Sequence, residues 1–128
     1  MFKKGISFIS LVELYLANNN IIKYVKHNKV YFNSLEDRDK GTKMFIDFFA
    51  SIRKEEAAKE MRGHMILDSI GDQQESIVLT FWETKEDMDK FYSPENKVLA
   101  NLVERAKPLF EKMPERTDYA VSGLYRSE

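Results

Sequence analysis

The chain has 128 residues, 43% of them hydrophobic and 32% charged, which sets it apart from a disordered polymer and provides for one domain rather than two. Its 20 Lys and Arg nearly balance 21 Asp and Glu, so no field of one sign is available to attract nucleic acid or an anionic membrane. It has no cysteine, which excludes disulfides, thiolate catalysis and iron–sulfur clusters and fits a reducing cytoplasm.

Two lysines precede an apolar run at the start, M-F-K-K-G-I-S-F-I-S-L-V-E, but Glu13 interrupts it and no small-x-small cleavage pattern follows. No run reaches the ~18–20 apolar residues that span a bilayer, so the sequence reads as a cytoplasmic protein. Within residues 6–17, Phe8, Leu11, Val12, Tyr15 and Leu16 recur at helical spacing. Ile6, Phe8, Val12, Leu14 and Leu16 also alternate as in a strand. The helical reading is preferred, closed by Asn18-Asn19-Asn20, because Asn tolerates the left-handed conformation at a helix end. Residues 1–20 then form an extension in front of a domain spanning 21–128.

β-Branched and aromatic residues rise from Ile21 to Asn33, predicting a strand that is best in Lys29 to Asn33. Ser34, with Asp37 three residues on, starts a polar turn. A helix is expected from Thr42 to Glu60, burying Met44, Phe45, Phe48, Phe49 and Ile52 and ended by Gly63. His64 to Ile70 reads as a second strand, and G-D-Q-Q at 71–74 as the turn into a third.

That third strand, Ile77 to Trp82, is apolar or β-branched throughout, as in a strand covered on both faces. Alternation puts Ile77, Leu79 and Phe81 on one face and Val78, Thr80 and Trp82 on the other. Thr84 and Asp87 have the spacing of a capping box for a helix from Lys85 to Tyr92. Ser93-Pro94 stops that helix and offers a start for the next, whose buried face carries Val98, Leu99, Leu102, Val103 and Ala106. Pro108 should end it, and Asp118 to Tyr125 reads as the last strand. The order strand, helix, strand, strand, helix, strand predicts an α+β, ferredoxin-like βαββαβ antiparallel sheet with its helices on one face. Helices cover only one side of such a sheet, so the two-faced third strand calls for a second subunit.

The stretch L-T-F-W-E-T-K-E-D-M-D-K-F-Y resembles the strand-to-helix signature of the antibiotic biosynthesis monooxygenase family, and Gly63-His64-Met65 is similar to the element opening that family's second strand. The resemblance covers roughly residues 21–126. It implies a dimeric α+β barrel, a homodimer with sheets packed face to face, and a pocket between each sheet and its helices. The family includes cofactor-free quinone-forming oxygenases, haem-degrading enzymes and proteins without a known substrate. The haem-degrading branch would put its catalytic asparagine at Asn28, its distorting tryptophan at Phe91 and its axial histidine near Asn101. No histidine occurs from Asn96 to Phe110, so the haem ligand is missing and no cofactor is expected.

Trp82, the only tryptophan, reads either as core packing or as a wall against which an aromatic substrate stacks. Phe91 and Tyr92 follow about two helical turns later and could line the same cavity. His64 and His27 are the only histidines and lack metal-ligand spacing, so no metal site is expected. His64 suits a lone acid or base near neutrality, although a strand histidine is also commonly held by structural hydrogen bonds. Two functions follow. One is a cofactor-independent monooxygenase acting on a small aromatic or quinol-like substrate, with His64 and Asn28 catalytic and Trp82, Phe91 and Tyr92 binding substrate. The other is a non-catalytic dimeric ligand-binding or assembly module of the same fold.

Overall fold

The computed structural model describes residues 22–124. The helix expected over residues 6–17, its Asn18–Asn20 stop and residues beyond 124 lie outside that range. In chain order the elements are β1 (Tyr24–Phe32), α1 (Leu35–Ile52), β2 (Met61–Asp68), β3 (Glu75–Trp82), α2 (Lys85–Phe91), α3 (Lys97–Ala106) and β4 (Phe110–Ala120). Single 3-10 turns occur at Glu56–Ala58 and Lys107–Leu109. The four strands form one sheet in the order β2-β3-β1-β4, with every neighbouring pair antiparallel. This is the ferredoxin-like arrangement expected from the sequence.

One face of the sheet lies under the helices. Val30 and Phe32 of β1 and Val78 and Trp82 of β3 are buried there with Phe45, Phe48, Phe49, Met88, Leu99 and Leu102. The period-2 alternation is preserved along β3, where Ser76, Val78, Thr80 and Trp82 are buried and Ile77, Leu79 and Phe81 are half-buried. The opposite face forms a grid by register. Val25 stands beside Phe81, His27 beside Leu79, with Met65 on the far side of Leu79, and Lys29 beside Ile77, with Leu67 on its far side. Among the described residues no helix covers this grid, and Met65 and Leu67 are exposed.

Several boundaries differ from the sequence reading. Helix α1 begins seven residues before Thr42 because Ser34 Oγ accepts the Asp37 amide at 3.1 Å, which satisfies one of the free N–H groups of the first turn. Its first buried positions are Arg38, Gly41 and Thr42, which carry no apolar signal. It ends at Ile52 rather than Glu60, since Lys54, Glu55 and Glu56 are exposed and extend no buried stripe. Gly63 therefore ends no helix. It lies in β2, with φ of 158°, at the register irregularity between Met61 and Gly63.

Helix α2 keeps its expected Thr84 cap, which accepts the Asp87 amide at 3.1 Å. Asn96, not Ser93, caps α3, and Val98 is exposed rather than on the buried face. The last strand starts at Phe110, eight residues before Asp118. It is an edge strand of mostly exposed polar residues, interrupted by Pro114 near the register shifts opposite Lys29 and Tyr31. No helix among the described residues is long and apolar enough to cross a membrane.

The entry of α1 is fixed by contact with β1. A Cβ added to Gly41 would stand 2.6 Å from Phe32 Cζ and nearer still to Cε1, and Phe32 is fully buried. Gly41→Ala should therefore cost about 1–3 kcal/mol, the range of core overpacking. Gly71→Ala, where nothing lies within 4 Å, should be close to neutral. Paired urea denaturation curves check the contrast.

Candidate functional site

Strand β1 turns two polar side chains, Lys26 and Asn28, toward the helices, and both are buried. Burial of polar groups is costly unless they are hydrogen-bonded, and β4 supplies partners at the same register. Arg116 lies opposite Asn28 and Asp118 opposite Lys26. Arg116 Nε donates to Asn28 Oδ1 at 3.0 Å, and Lys26 Nζ meets Asp118 at 2.6 Å. Asn28 Nδ2 donates to the Val78 carbonyl at 3.0 Å and to Tyr92 Oη at 3.2 Å.

Tyr92 follows α2 directly and brings its hydroxyl back over the sheet. Its Oη lies 2.9 Å from Thr80 Oγ1, which in turn accepts Trp82 Nε1–H at 2.9 Å. Thr80 is fully buried, and either hydroxyl can donate to the other in this contact. Donation from Thr80 satisfies the threonine proton and leaves the phenolic one free. Burial raises the Tyr92 pKa above its ordinary value, while hydrogen bonds from Thr80 and Asn28 and the Arg116 charge act in the other direction. The hydroxyl stays neutral near pH 7 and serves as a donor. The Arg116 guanidinium carbon and Lys26 Nζ lie 5.0 and 4.8 Å from the centre of the Tyr92 ring.

This polar chain ends at a narrow cavity of about 50 Å³, room for a few waters. Asn28, Tyr92 and Arg116 form its polar side, Phe45 and Phe49 of α1 and Leu102 and Val103 of α3 its apolar side, with Phe91 between. Pro114 and the exposed Arg116 bring β4 to its rim. Among the described residues, no carboxylate or imidazole lines it.

Of the residues singled out in sequence, Asn28, Phe91 and Tyr92 meet in this cavity. Trp82 is fully buried on the helix-facing side but stands behind the lining, its ring centre 5.4 Å from that of Phe91. It reaches the site only through Thr80. His64 is elsewhere, stacked on Phe49 with ring centres 4.3 Å apart and planes inclined by 13°, and lines a different cleft. Burial first, and the Arg53 charge second, hold its pKa below the usual histidine value.

Sequence reasoning missed Arg116, Thr80 and Lys26. Lys26 and Asn28 share a strand face with Val30 and Phe32, and that interruption of an apolar face was the available signal for partners on a neighbouring strand. Among the described residues, no group of three or more His, Cys, Asp or Glu is placed to hold a metal ion.

No family model and no curated protein matches the chain. Solved structures do match in fold. A monooxygenase of Streptomyces coelicolor, ActVA-Orf6, solved in complex with nanaomycin D, superposes with a TM-score of 0.72 at 12% identity, covering 85% of this chain and 96% of that one. A dimeric ferredoxin-like protein from an uncultured marine organism gives 0.67 at 12% identity, covering 84% and 94%. SnoaB of Streptomyces nogalater, a cofactor-independent oxygenase solved as a point mutant, gives 0.59 at 9% identity, covering 82% and 98%. The fold is that of the antibiotic biosynthesis monooxygenases.

Two outcomes follow from this geometry. Trp82→Ala removes a fully buried ring from behind the site and should cost about 3–5 kcal/mol, measured by chemical denaturation. His64 has a folded pKa below its unfolded value, so the unfolded chain binds more protons between the two. Stability should rise with pH from the folded pKa up to about 6.5, the unperturbed value. His64→Gln should flatten that rise in thermal melts recorded from pH 5 to 8.

Proposed function

We propose that the chain is a cofactor-independent monooxygenase acting on a small aromatic, quinol-like substrate. The observation that carries this reading is the hydrogen-bond chain from buried Trp82 through Thr80, Tyr92 and Asn28 to exposed Arg116, which ends in an otherwise apolar cavity with several aromatic walls. The shared fold with a monooxygenase and with a cofactor-independent oxygenase supports it. The complex of the former with nanaomycin D supports a small-molecule ligand for this fold.

In this reading the substrate ring lies against Phe45, Phe49 and Phe91, and its phenolic oxygen meets the Tyr92 hydroxyl and Arg116. A positive charge and a hydrogen-bond donor both favour the phenolate, so they make the substrate phenol itself more acidic. That compensates for a lining without a carboxylate or imidazole base. The electron-rich anion gives one electron to dioxygen, and the two radicals combine to a peroxide that loses water. In balance, a ring methylene gives up both hydrogens and becomes a carbonyl. One atom of dioxygen becomes the carbonyl oxygen, and the other leaves as water with those two hydrogens. The substrate is the only reductant. The chain contributes orientation, anion stabilisation and exclusion of bulk water.

The cavity must widen to admit a ring, since drug-sized ligands occupy ~300–1,000 Å³. Its mobile walls in this reading are the ten-residue α3 and the edge strand β4. The small volume and the lack of a base also favour a second reading, a non-catalytic module that binds an aromatic ligand. Either function is carried by a homodimer. The half-buried row Ile77, Leu79 and Phe81, with Met65 and Leu67 beside it, is an apolar face that a second copy would cover.

Oxygen uptake with anthrone- and quinol-type substrates, in metal-free and flavin-free buffer, tests the reaction. Tyr92→Phe and Arg116→Ala should each lower kcat/KM by about 10- to 100-fold, the range for one lost charge-assisted or donor contact of ~1.5–3 kcal/mol. Saturable binding without oxygen consumption across the substrate panel would select the binding module instead. Light scattering after size exclusion should give twice the 15.1 kDa chain mass, and a monomer at micromolar concentration would overturn the dimer.

A further inference from the structure

Phe49 is also a wall of a second cleft, of about 340 Å³, between the end of α1, the 3-10 turn and the start of β2. Among the described residues, every charged or titratable side chain lining it is basic: Arg53, Lys59, Arg62 and His64. Part of this charge is already compensated. Lys59 pairs with Glu56 at 2.6 Å, and the Arg62 Nη2 nitrogen reaches Glu83 at 3.2 Å and Glu60 at 3.5 Å. The remainder is not. Arg53 forms no ion pair among the described residues, and Arg62 Nε–H is buried without an acceptor. Stacking on Phe49 fixes the His64 ring while leaving its two nitrogens without a bond among the described residues. Unpaired cationic and N–H groups at the wall of a cleft are open to an anionic partner.

We propose that this cleft binds the oxyanion of a small molecule, a carboxylate or a phosphate group, held by Arg53, Arg62 and protonated His64. The planar guanidinium fork of Arg53 suits either oxyanion. Ile52, Ala58 and Met61 offer an apolar floor for the remainder of the molecule. The negative end of the α1 dipole opposes an anion here, but weakly compared with two charge-assisted hydrogen bonds. Among the described residues the charged groups around His64 are Arg53 just after α1, Lys59 just after the 3-10 turn and Arg62 from β2, with Glu56, Glu60 and Glu83 paired to the last two. Arg53 lowers the His64 pKa in the empty cleft, and an anion beside both cations reverses that effect. The site stands independently of the proposed oxygenase reaction.

The test is NMR titration of the two histidine rings in the full chain with sodium sulfate and, separately, sodium benzoate, at ionic strength held constant by sodium chloride. The expected result is a saturable rise of the His64 pKa by about one unit, the lower end of the range for a neighbouring opposite charge, with His27 on the other sheet face unmoved. Saturation by sulfate identifies a tetrahedral, phosphate-like group, and saturation by benzoate alone identifies a carboxylate. Arg53→Ala, at an exposed position, should abolish saturation with either salt, and Arg53→Gln should do the same if the first variant folds poorly. Absence of a saturable shift with both salts would overturn the site. So would an equal response of His27, or an unchanged response in the Arg53 variants.

Discussion

The arrangement of this molecule depends on two polar side chains that β1 presents inward. Lys26 and Asn28 sit on the face that also carries Val30 and Phe32, in the middle of an apolar layer. An uncompensated buried amide or ammonium would cost several kcal/mol. The neighbouring elements remove that cost by register: Asp118 and Arg116 come from β4, the Val78 carbonyl from β3, and the Tyr92 hydroxyl from the end of α2. Slipping β4 by one residue would turn Arg116 and Asp118 to the other face and strand both groups. The polar cluster thus specifies strand pairing while it builds the polar wall of the cavity.

Around this cluster the hydrophobic layer is largely aromatic. Phe32 meets Phe45 and Phe110 with ring centres 6.2 and 5.6 Å apart, Phe48 meets Phe49 edge-on at 5.3 Å, and Phe91 lies between Trp82 and Tyr92. Flat rings on a flat sheet leave narrow slots rather than round voids. That accounts for a cavity with aromatic walls and little volume. The same layer holds the Tyr92 hydroxyl beside Thr80 and Asn28 on one side of the slot, which makes the slot chemically directional.

How much of this was legible depends on whether burial was achieved by apolar residues. The faces of β3 could be read because its alternating residues are nearly all apolar, and the caps at Ser34 and Thr84 stand where their hydroxyls accept the amide three residues on. The first turns of α1 could not, since Arg38 and Thr42 are buried there through bonds to backbone carbonyls and look like surface in a hydrophobicity pattern. The first eight residues of β4, ahead of Asp118, were not read as strand for a related reason. Arg116 and Asp118 are exposed partners of buried polar groups, so no apolar period marks the strand. The site divided in the same manner: Asn28, Phe91 and Tyr92 converge, whereas His64 pairs with Thr80 one strand farther out and stacks against the Phe49 ring. Register and sidedness decide such cases, and neither can be read from one strand alone.

The polar character of β4 has a consequence for association. An edge strand with free N–H and C=O groups is a template on which another chain can continue the sheet, and that route leads to open-ended aggregates. Here Pro114 removes one donor, the register shifts bend the strand, and Glu111, Lys112, Glu115 and Arg116 crowd the border with charge of both signs. The exposed apolar row of β2 and β3 lies on the flat of the sheet, away from this border. Contacts made through the flat are closed by a single partner, whereas growth along the β4 border meets charge and a missing donor.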